Sequence, residues 1–194
     1  MELIFASHNI NKASEIQSSM PAGMEIKTLD AISFREEIPE TGNSLEENAL
    51  IKARAVYSFS GHNCFADDSG LEVVALGGAP GVYSARYAGE AGNAAKNMDK
   101  LLAAMDGLEN REAQFRTIFA LILDGKEYIF EGLVKGEITT ERRGQDGFGY
   151  DPIFQPKGLL VTFAEMSKSD KNKISHRARA LSKMVAFLRE TNHI

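Results

Sequence analysis

The feature that most constrains this chain is Asp67-Asp68-Ser69-Gly70, set directly behind the apolar run Cys64-Phe65-Ala66. An apolar segment that stops abruptly at two carboxylates, a hydroxyl and a glycine reads as a buried strand with a site at its tip. Adjacent carboxylates repel, so keeping both ionised in a half-buried place calls for a cation or a basic ligand nearby. Hard oxygen ligands of this kind suit Mg²⁺, which keeps several waters and takes further ligands from substrate phosphates. Read alone, the same residues also fit a polar turn between two strands, residues 64–66 and 71–74.

At 194 residues the chain is expected to form one domain over residues 1–194, in two lobes around a cleft. It is long enough to bury a core without staples. The lone cysteine, Cys64, has no internal disulfide partner and sits among apolar neighbours, where it packs as a small hydrophobe. The first residues lack the basic and apolar regions of a signal peptide, and no apolar run is long enough to span a bilayer. A cytoplasmic location with no membrane partner is the expectation. The net charge of −5 argues against a nucleic-acid binder, which needs a net basic surface or stripe. It leaves room for a locally basic pocket that takes a small anionic substrate.

Strand and helix signals alternate early. Residues 3–6 read as a strand, 12–20 as a helix stopped by Pro21, and 25–29 as a second strand. Ser44 and Glu47 form a capping box that opens a helix ending before Gly61. A helix over residues 97–105 follows. Residues 114–123 are a long β-type run that turns at Asp124-Gly125 and returns through 128–134. The last helix runs from 175 to 189, with Ala178, Leu181, Val185 and Leu188 on one face. The pattern predicts an α/β fold: a mixed β-sheet with helices packed on it.

Four more stretches bear on chemistry. Ser7-His8-Asn9-Ile10-Asn11-Lys12 lies where the first strand gives way to a helix, and helix N-termini favour phosphate. A plain capping turn is the alternative. Glu40, in a glycine-containing loop ahead of the capped helix, is a third carboxylate for a metal site. Lys52 stands four residues beyond Asn48 on the same helix face, where a solvated lysine is the simpler reading. Phe148, flanked by Gly147 and Gly149 and followed by Tyr150 and Asp151, offers a held aromatic face for a base, or merely a packed hairpin loop. Lys171, Lys173, His176 and Arg177 fall at the start of the last helix, where basic residues oppose the macrodipole. That placement points to an anionic or keto-bearing ligand, or else to a solvated charged turn.

Taken together, six ordered motifs resemble the inosine triphosphate pyrophosphatase family. They are Ser7-x-Asn9-x-x-Lys12; Glu40-x-Gly42-x-Ser44 with Asn48-Ala49 and Lys52; Ala66-Asp67-Asp68-Ser69-Gly70-Leu71; Pro80-Gly81-Val82-Tyr83-Ser84-Ala85-Arg86; Phe148-Gly149-Tyr150-Asp151-Pro152; and Ser175-His176-Arg177. The resemblance implies an elongated mixed β-sheet with flanking helices forming two lobes around a substrate cleft, and Mg²⁺-dependent hydrolysis of non-canonical purine nucleoside triphosphates (dITP, ITP, XTP, dXTP) to the monophosphate and pyrophosphate, by a homodimer. It implies that Asp68 is the general base and a metal carboxylate, supported at the metal by Glu40 and Asp67. Residues 7–12, with His8, Ile10 and Asn11 at variable positions, would hold phosphates and sugar together with Ser69, and Lys52 would also contact substrate. Phe148, Gly149, Tyr150, Asp151, Lys171, His176 and Arg177 would form the base pocket.

Overall fold

The structure is a computed structural model that describes residues 1–89 and 92–194. Six strands form one sheet among the described residues: β1 (Glu2–Phe5), β2 (Glu25–Lys27), β3 (Cys64–Val73), β4 (Glu112–Leu123), β5 (Lys126–Ile138) and β6 (Phe154–Pro156). Their order is β2-β1-β3-β4-β5-β6. β1 lies parallel to both neighbours, with Leu3 opposite Ile26 and Phe5 opposite Phe65. Parallel pairs need crossover connections, and these are supplied by α1 (Ile10–Gln17) and α2 (Leu45–Ser60). β5 and β6 run antiparallel, Glu137 facing Gln155. The fold is the mixed α/β class that the sequence predicts.

Local chemistry explains most element ends. Asp124 and Gly125 take φ of +50° and +78°, the pair of left-handed conformations that a two-residue hairpin demands. Ser44 Oγ accepts from Glu47 N at 3.1 Å to cap α2, while Glu47 Oε2 reaches one residue further back than expected, to Asn43 N at 2.6 Å. α3 (Ala94–Ala104) starts ahead of the predicted residue 97 because the Asn93 side chain accepts from Lys96 N.

Two expectations are corrected. Residues 64–66 and 71–74 are not two strands around a polar turn; one ten-residue strand, β3, runs straight through the acidic pair. Cations rather than a turn satisfy these carboxylates, as shown below, so the backbone stays extended. The basic run does not open the last helix either. A separate helix, α4 (Lys168–Ile174), precedes α5 (His176–Glu190), and the extended Ser175 divides them. Lys171 and Lys173 therefore sit in the last turn of α4, where the dipole favours cations.

The chain divides into two compact units. The first comprises Met1–Asp68, Thr117–Gly132 and Arg177–Ile194; the second comprises Ser69–Arg116 and Leu133–His176. In the first, Leu3, Phe5, Phe65 and Phe119 of the sheet pack on Ile16 of α1 and on Leu181, Met184 and Leu188 of α5. Phe5 and Phe65 stack at 4.9 Å. Cys64 is fully buried here and donates its thiol to Ala53 O at 3.3 Å. In the second unit, Leu71, Phe115, Val134 and Ile138 pack with Leu101 and Met105, and with Phe154 and Phe163.

Candidate active site

In the first unit the site starts where β1 ends. Ser7 Oγ accepts from Asn9 N at 3.2 Å, and Asn9 Oδ1 accepts from Lys12 N at 3.2 Å, so Asn9 is the cap of α1. That cap aims the next turn. Lys12 Nζ donates to Asp67 Oδ1 at 3.0 Å. The other Asp67 oxygen, Oδ2, accepts from Arg177 Nε at 3.2 Å, and Arg177 Nη1 donates to Glu15 Oε2. Glu15, Asp67 and Arg177 are all buried. A continuous alternation of charge results, running Lys12, Asp67, Arg177, Glu15.

A second group forms on α2. Lys52 Nζ donates to Glu40 Oε1 at 2.5 Å and lies 3.6 Å from Asp68 Oδ1. The loop carrying Glu40 is fixed from the same helix: Asn48 Oδ1 accepts from Gly42 N at 2.8 Å. A side chain at residue 42 would put its Cβ 2.6 Å from Glu47 Cβ and 2.8 Å from Asn48 Oδ1. Glycine is required there by close approach.

The two carboxylates of the acidic pair are pushed in opposite directions. Burial favours the neutral form of Asp67, but Lys12, Arg177 and Lys52 outweigh it and hold the group below the ordinary aspartate value. Asp68 is raised, chiefly by burial, with Glu40 and Asp67 adding to the shift against the pull of Lys52. Burial also lowers Lys12, helped by the positive charges of Lys52 and Arg177. Lys52 resists its own burial and is raised, because Asp68, Asp67 and Glu40 surround it.

No three His, Cys, Asp or Glu side chains among the described residues form a ready-made metal cage. Glu40 and Asp68, sharing one lysine, are the pair of oxygen donors that suits a hard cation completed by substrate oxygens. Asp67 suits that task less well, since each of its oxygens already faces a cation. Of the remaining residues named at the first turn, Ile10 is 83% exposed, and His8 and Asn11 are exposed. His8 Nε2 lies 3.3 Å from Glu36 O.

In the second unit, Lys171 Nζ donates to Asp151 Oδ2 at 2.6 Å, and the same oxygen accepts from Phe148 N at 2.8 Å. The ammonium stands 4.7 Å from the centre of the Phe148 ring. Gly147 (φ +77°) allows this fold, because a Cβ there would lie 2.1 Å from Asp151 Oδ2. His176 is buried and stacks on Phe115 with centroids 4.7 Å apart and planes 9° apart. The Tyr150 hydroxyl donates to Ser84 O at 2.8 Å. Ser69 follows Asp68 on β3 and is half-buried.

The structure thus brings Lys12, Lys52, Glu40, Asp67 and Asp68 together, and separately Phe148, Asp151 and Lys171. Arg177, expected with Lys171 and His176, pairs instead with Asp67 and Glu15. Glu15 and Phe115 escaped the sequence reading. Glu15 had a usable signal, a carboxylate three residues beyond Lys12 on one helix face; Phe115 had none, because nothing local links a β4 residue to His176.

Comparisons with known proteins identify the family. Residues 3–187 match the Ham1 family. The dITP/XTP pyrophosphatase of Flavobacterium johnsoniae is 52% identical over 191 residues, covering 98% of this chain and 100% of that protein. The dITP/XTP pyrophosphatase of Bacillus subtilis is 48% identical over 191 residues, covering 96% of each. Among solved structures, the Staphylococcus aureus Ham1 protein superposes with a TM-score of 0.89 at 38% identity, covering 98% of this chain and 100% of that one. A HAM1 protein from Coxiella burnetii gives 0.90 at 38% identity, covering 98% and 99%. Matched along nearly its whole length in both sequence and fold, the chain belongs to the Ham1 family.

Proposed function

We propose that this nucleoside-triphosphate pyrophosphatase hydrolyses the non-canonical purine nucleotides dITP, ITP, XTP and dXTP to the monophosphate and pyrophosphate, with Mg²⁺ as cofactor. The names of the relatives support the substrate class. The observation that carries the chemistry is Glu40 and Asp68 meeting on Lys52, beside Lys12 on Asp67. A carboxylate with a raised pKa next to two lysines is suited to take a proton from water while the lysines hold phosphate oxygens.

Water attacks the α-phosphorus in this reading, and Asp68 orients it and accepts its proton. Lys12, Ser7, Asn9 and the N-terminus of α1 hold the triphosphate, whose negative charge offsets the burial of Lys12. Lys52 keeps its charge through its carboxylate neighbours and stabilises the charge that grows on the leaving pyrophosphate. Glu40 and Asp68 are the residues that would hold Mg²⁺, which when bound supplies further neutralisation of the phosphate oxygens. Arg177, itself paired with Glu15, keeps Asp67 ionised, and Asp67 holds Lys12 in place. Phe148 offers the stacking face for the purine, and His176 with Lys171 supplies donors that suit a C6 keto oxygen better than the amine of adenine. A homodimer in the cytoplasm is part of the proposal, and the homodimer rests on the family resemblance.

Pyrophosphate release measured against dITP, XTP, dTTP and ATP, each with and without Mg²⁺, tests the reading. Pyrophosphate from dITP and XTP, with Mg²⁺ only, is expected. Release of orthophosphate instead, or equal turnover of dTTP, would overturn it.

A further inference from the structure

One motif in the chain has no part in the chemistry above: residues 80–86, a 3₁₀ stretch over Gly81–Arg86 that contains the buried Ser84. Ser84 is a junction. Its Oγ accepts from Leu71 N at 2.9 Å and donates to Gly81 O at 2.6 Å. Its carbonyl accepts from the Tyr150 hydroxyl at 2.8 Å. Asn97, itself buried, holds the stretch from α3: Nδ2 donates to Ala85 O at 3.1 Å, and Oδ1 accepts from Ala88 N at 2.7 Å. A carbonyl fixed in this way is a rigid mooring point.

What it moors is the loop of Phe148. Asp151 N donates to Phe148 O at 3.3 Å and Phe148 N donates to Asp151 Oδ2 at 2.8 Å, so residues 148–151 form one closed turn. Gly149, at φ +64°, and Tyr150 are the inner residues of that turn. Asp151 and Lys171 pin one end of it; the buried Tyr150 hydroxyl is tied to Ser84. Tyr150 and Phe148 thus share one closed turn, held at both ends.

We propose that Tyr150 is a positioning residue: its hydroxyl, moored on the Ser84 carbonyl, sets the Phe148 ring for stacking on the nucleobase, and residues 80–86 serve as the mooring. The proposal rests on the reading of Phe148 as the base-stacking residue. Losing one buried hydrogen bond of this kind is expected to be worth about five-fold in an equilibrium.

Two measurements on the full chain test it. The first is kinetic, with Tyr150→Phe, which removes one oxygen and keeps the ring. A fall of about five-fold in kcat/KM for dITP is expected, carried by KM, with a parallel fall for dATP, because stacking holds any purine. An unchanged KM, a loss carried by kcat alone, or a loss confined to dITP would overturn the proposal. The second needs no substrate. The chain has no tryptophan, so Phe148→Trp introduces a unique indole at the loop. Its fluorescence anisotropy is expected to drop when Tyr150→Phe or Ser84→Ala is added singly and to drop little further when both are present; an unchanged anisotropy with Tyr150→Phe, or fully additive drops in the double variant, would sink the mooring. If the unsubstituted protein fails to prefer dITP over dATP, the functional reading fails while the indole measurement still decides the mooring.

Discussion

Arg177 and Asp67 are 110 positions apart in sequence, yet Arg177 Nε donates to Asp67 Oδ2 at 3.2 Å with neither side chain more than 3% exposed. The first turn of α5 is thereby locked to the acidic pair inside β3. Both groups lost their water in being buried, so each depends on the other and on Lys12 and Glu15 for compensation.

Arg177→Met should therefore destabilise the protein by about 3–5 kcal/mol, because it leaves two buried carboxylates short of a cation. Urea unfolding reads this directly. Adding Asp67→Asn to the same chain should recover part of the loss, since it removes one uncompensated charge. A midpoint unmoved by Arg177→Met would mean that the pair is solvated and contributes little.

Asp68→Asn should lower kcat by about 10²–10⁴-fold, the usual range for removing a general base. The amide keeps the shape but accepts no proton. Circular dichroism should show an intact fold, and saturating Mg²⁺ should not restore the rate. Retention of more than about a tenth of the activity would remove Asp68 from the role of base.

Acid should act on stability through Asp67. Its pKa in the folded state lies below the ordinary value of 3.8, so the unfolded chain binds the extra proton first as pH falls. The stabilisation from this carboxylate is complete above the unfolded value and disappears as pH drops through the folded one. The stability difference between the parent chain and Asp67→Asn, measured in EDTA, should be flat from pH 7 to about pH 5 and shrink below 3.8. A difference that grows in acid would contradict the assignment.

Gly42→Ala should impair the site without touching it. The new Cβ meets Glu47 Cβ at 2.6 Å and Asn48 Oδ1 at 2.8 Å, so the loop must lift and take Glu40 away from Lys52. The concentration of Mg²⁺ giving half-maximal rate should rise several-fold while the rate at saturating metal largely recovers. If the metal dependence stays the same, Glu40 is not held by that loop.

The sequence made several of these relationships legible and hid others for physical reasons. The Asp124-Gly125 hairpin, the Ser44 cap and the apolar face of α5 are written in local chemistry, and they stand in the structure, the last at Leu181, Val185 and Leu188 but with Ala180 and Met184 in the core rather than Ala178. Asp67 and Asp68 were visible as a buried charged pair, but continuous β3 was not, since an acidic pair followed by Ser-Gly has the composition of a turn. The cations that allow extension come from α1, α2 and α5, far away in sequence. α4 was lost in the same way: Ser175, which stops it, equally resembles the cap of the helix that follows. Arg177 and His176 are neighbours in sequence with different partners, Asp67 and Glu15 for one and Phe115 for the other. A motif of consecutive letters carries no sign of that parting.

Cys64 gives the protein a built-in clock. Its thiol is sealed between β3 and α2, and burial pushes its pKa up to about 12, so the closed state offers an alkylating reagent neither access nor thiolate. Being the sole cysteine, it can react only during moments when β3 lifts from Ala53. The labelling rate therefore counts openings of the first unit three residues from Asp67, and adding a nucleotide that grips Lys12 and Lys52 should slow that count in proportion to occupancy.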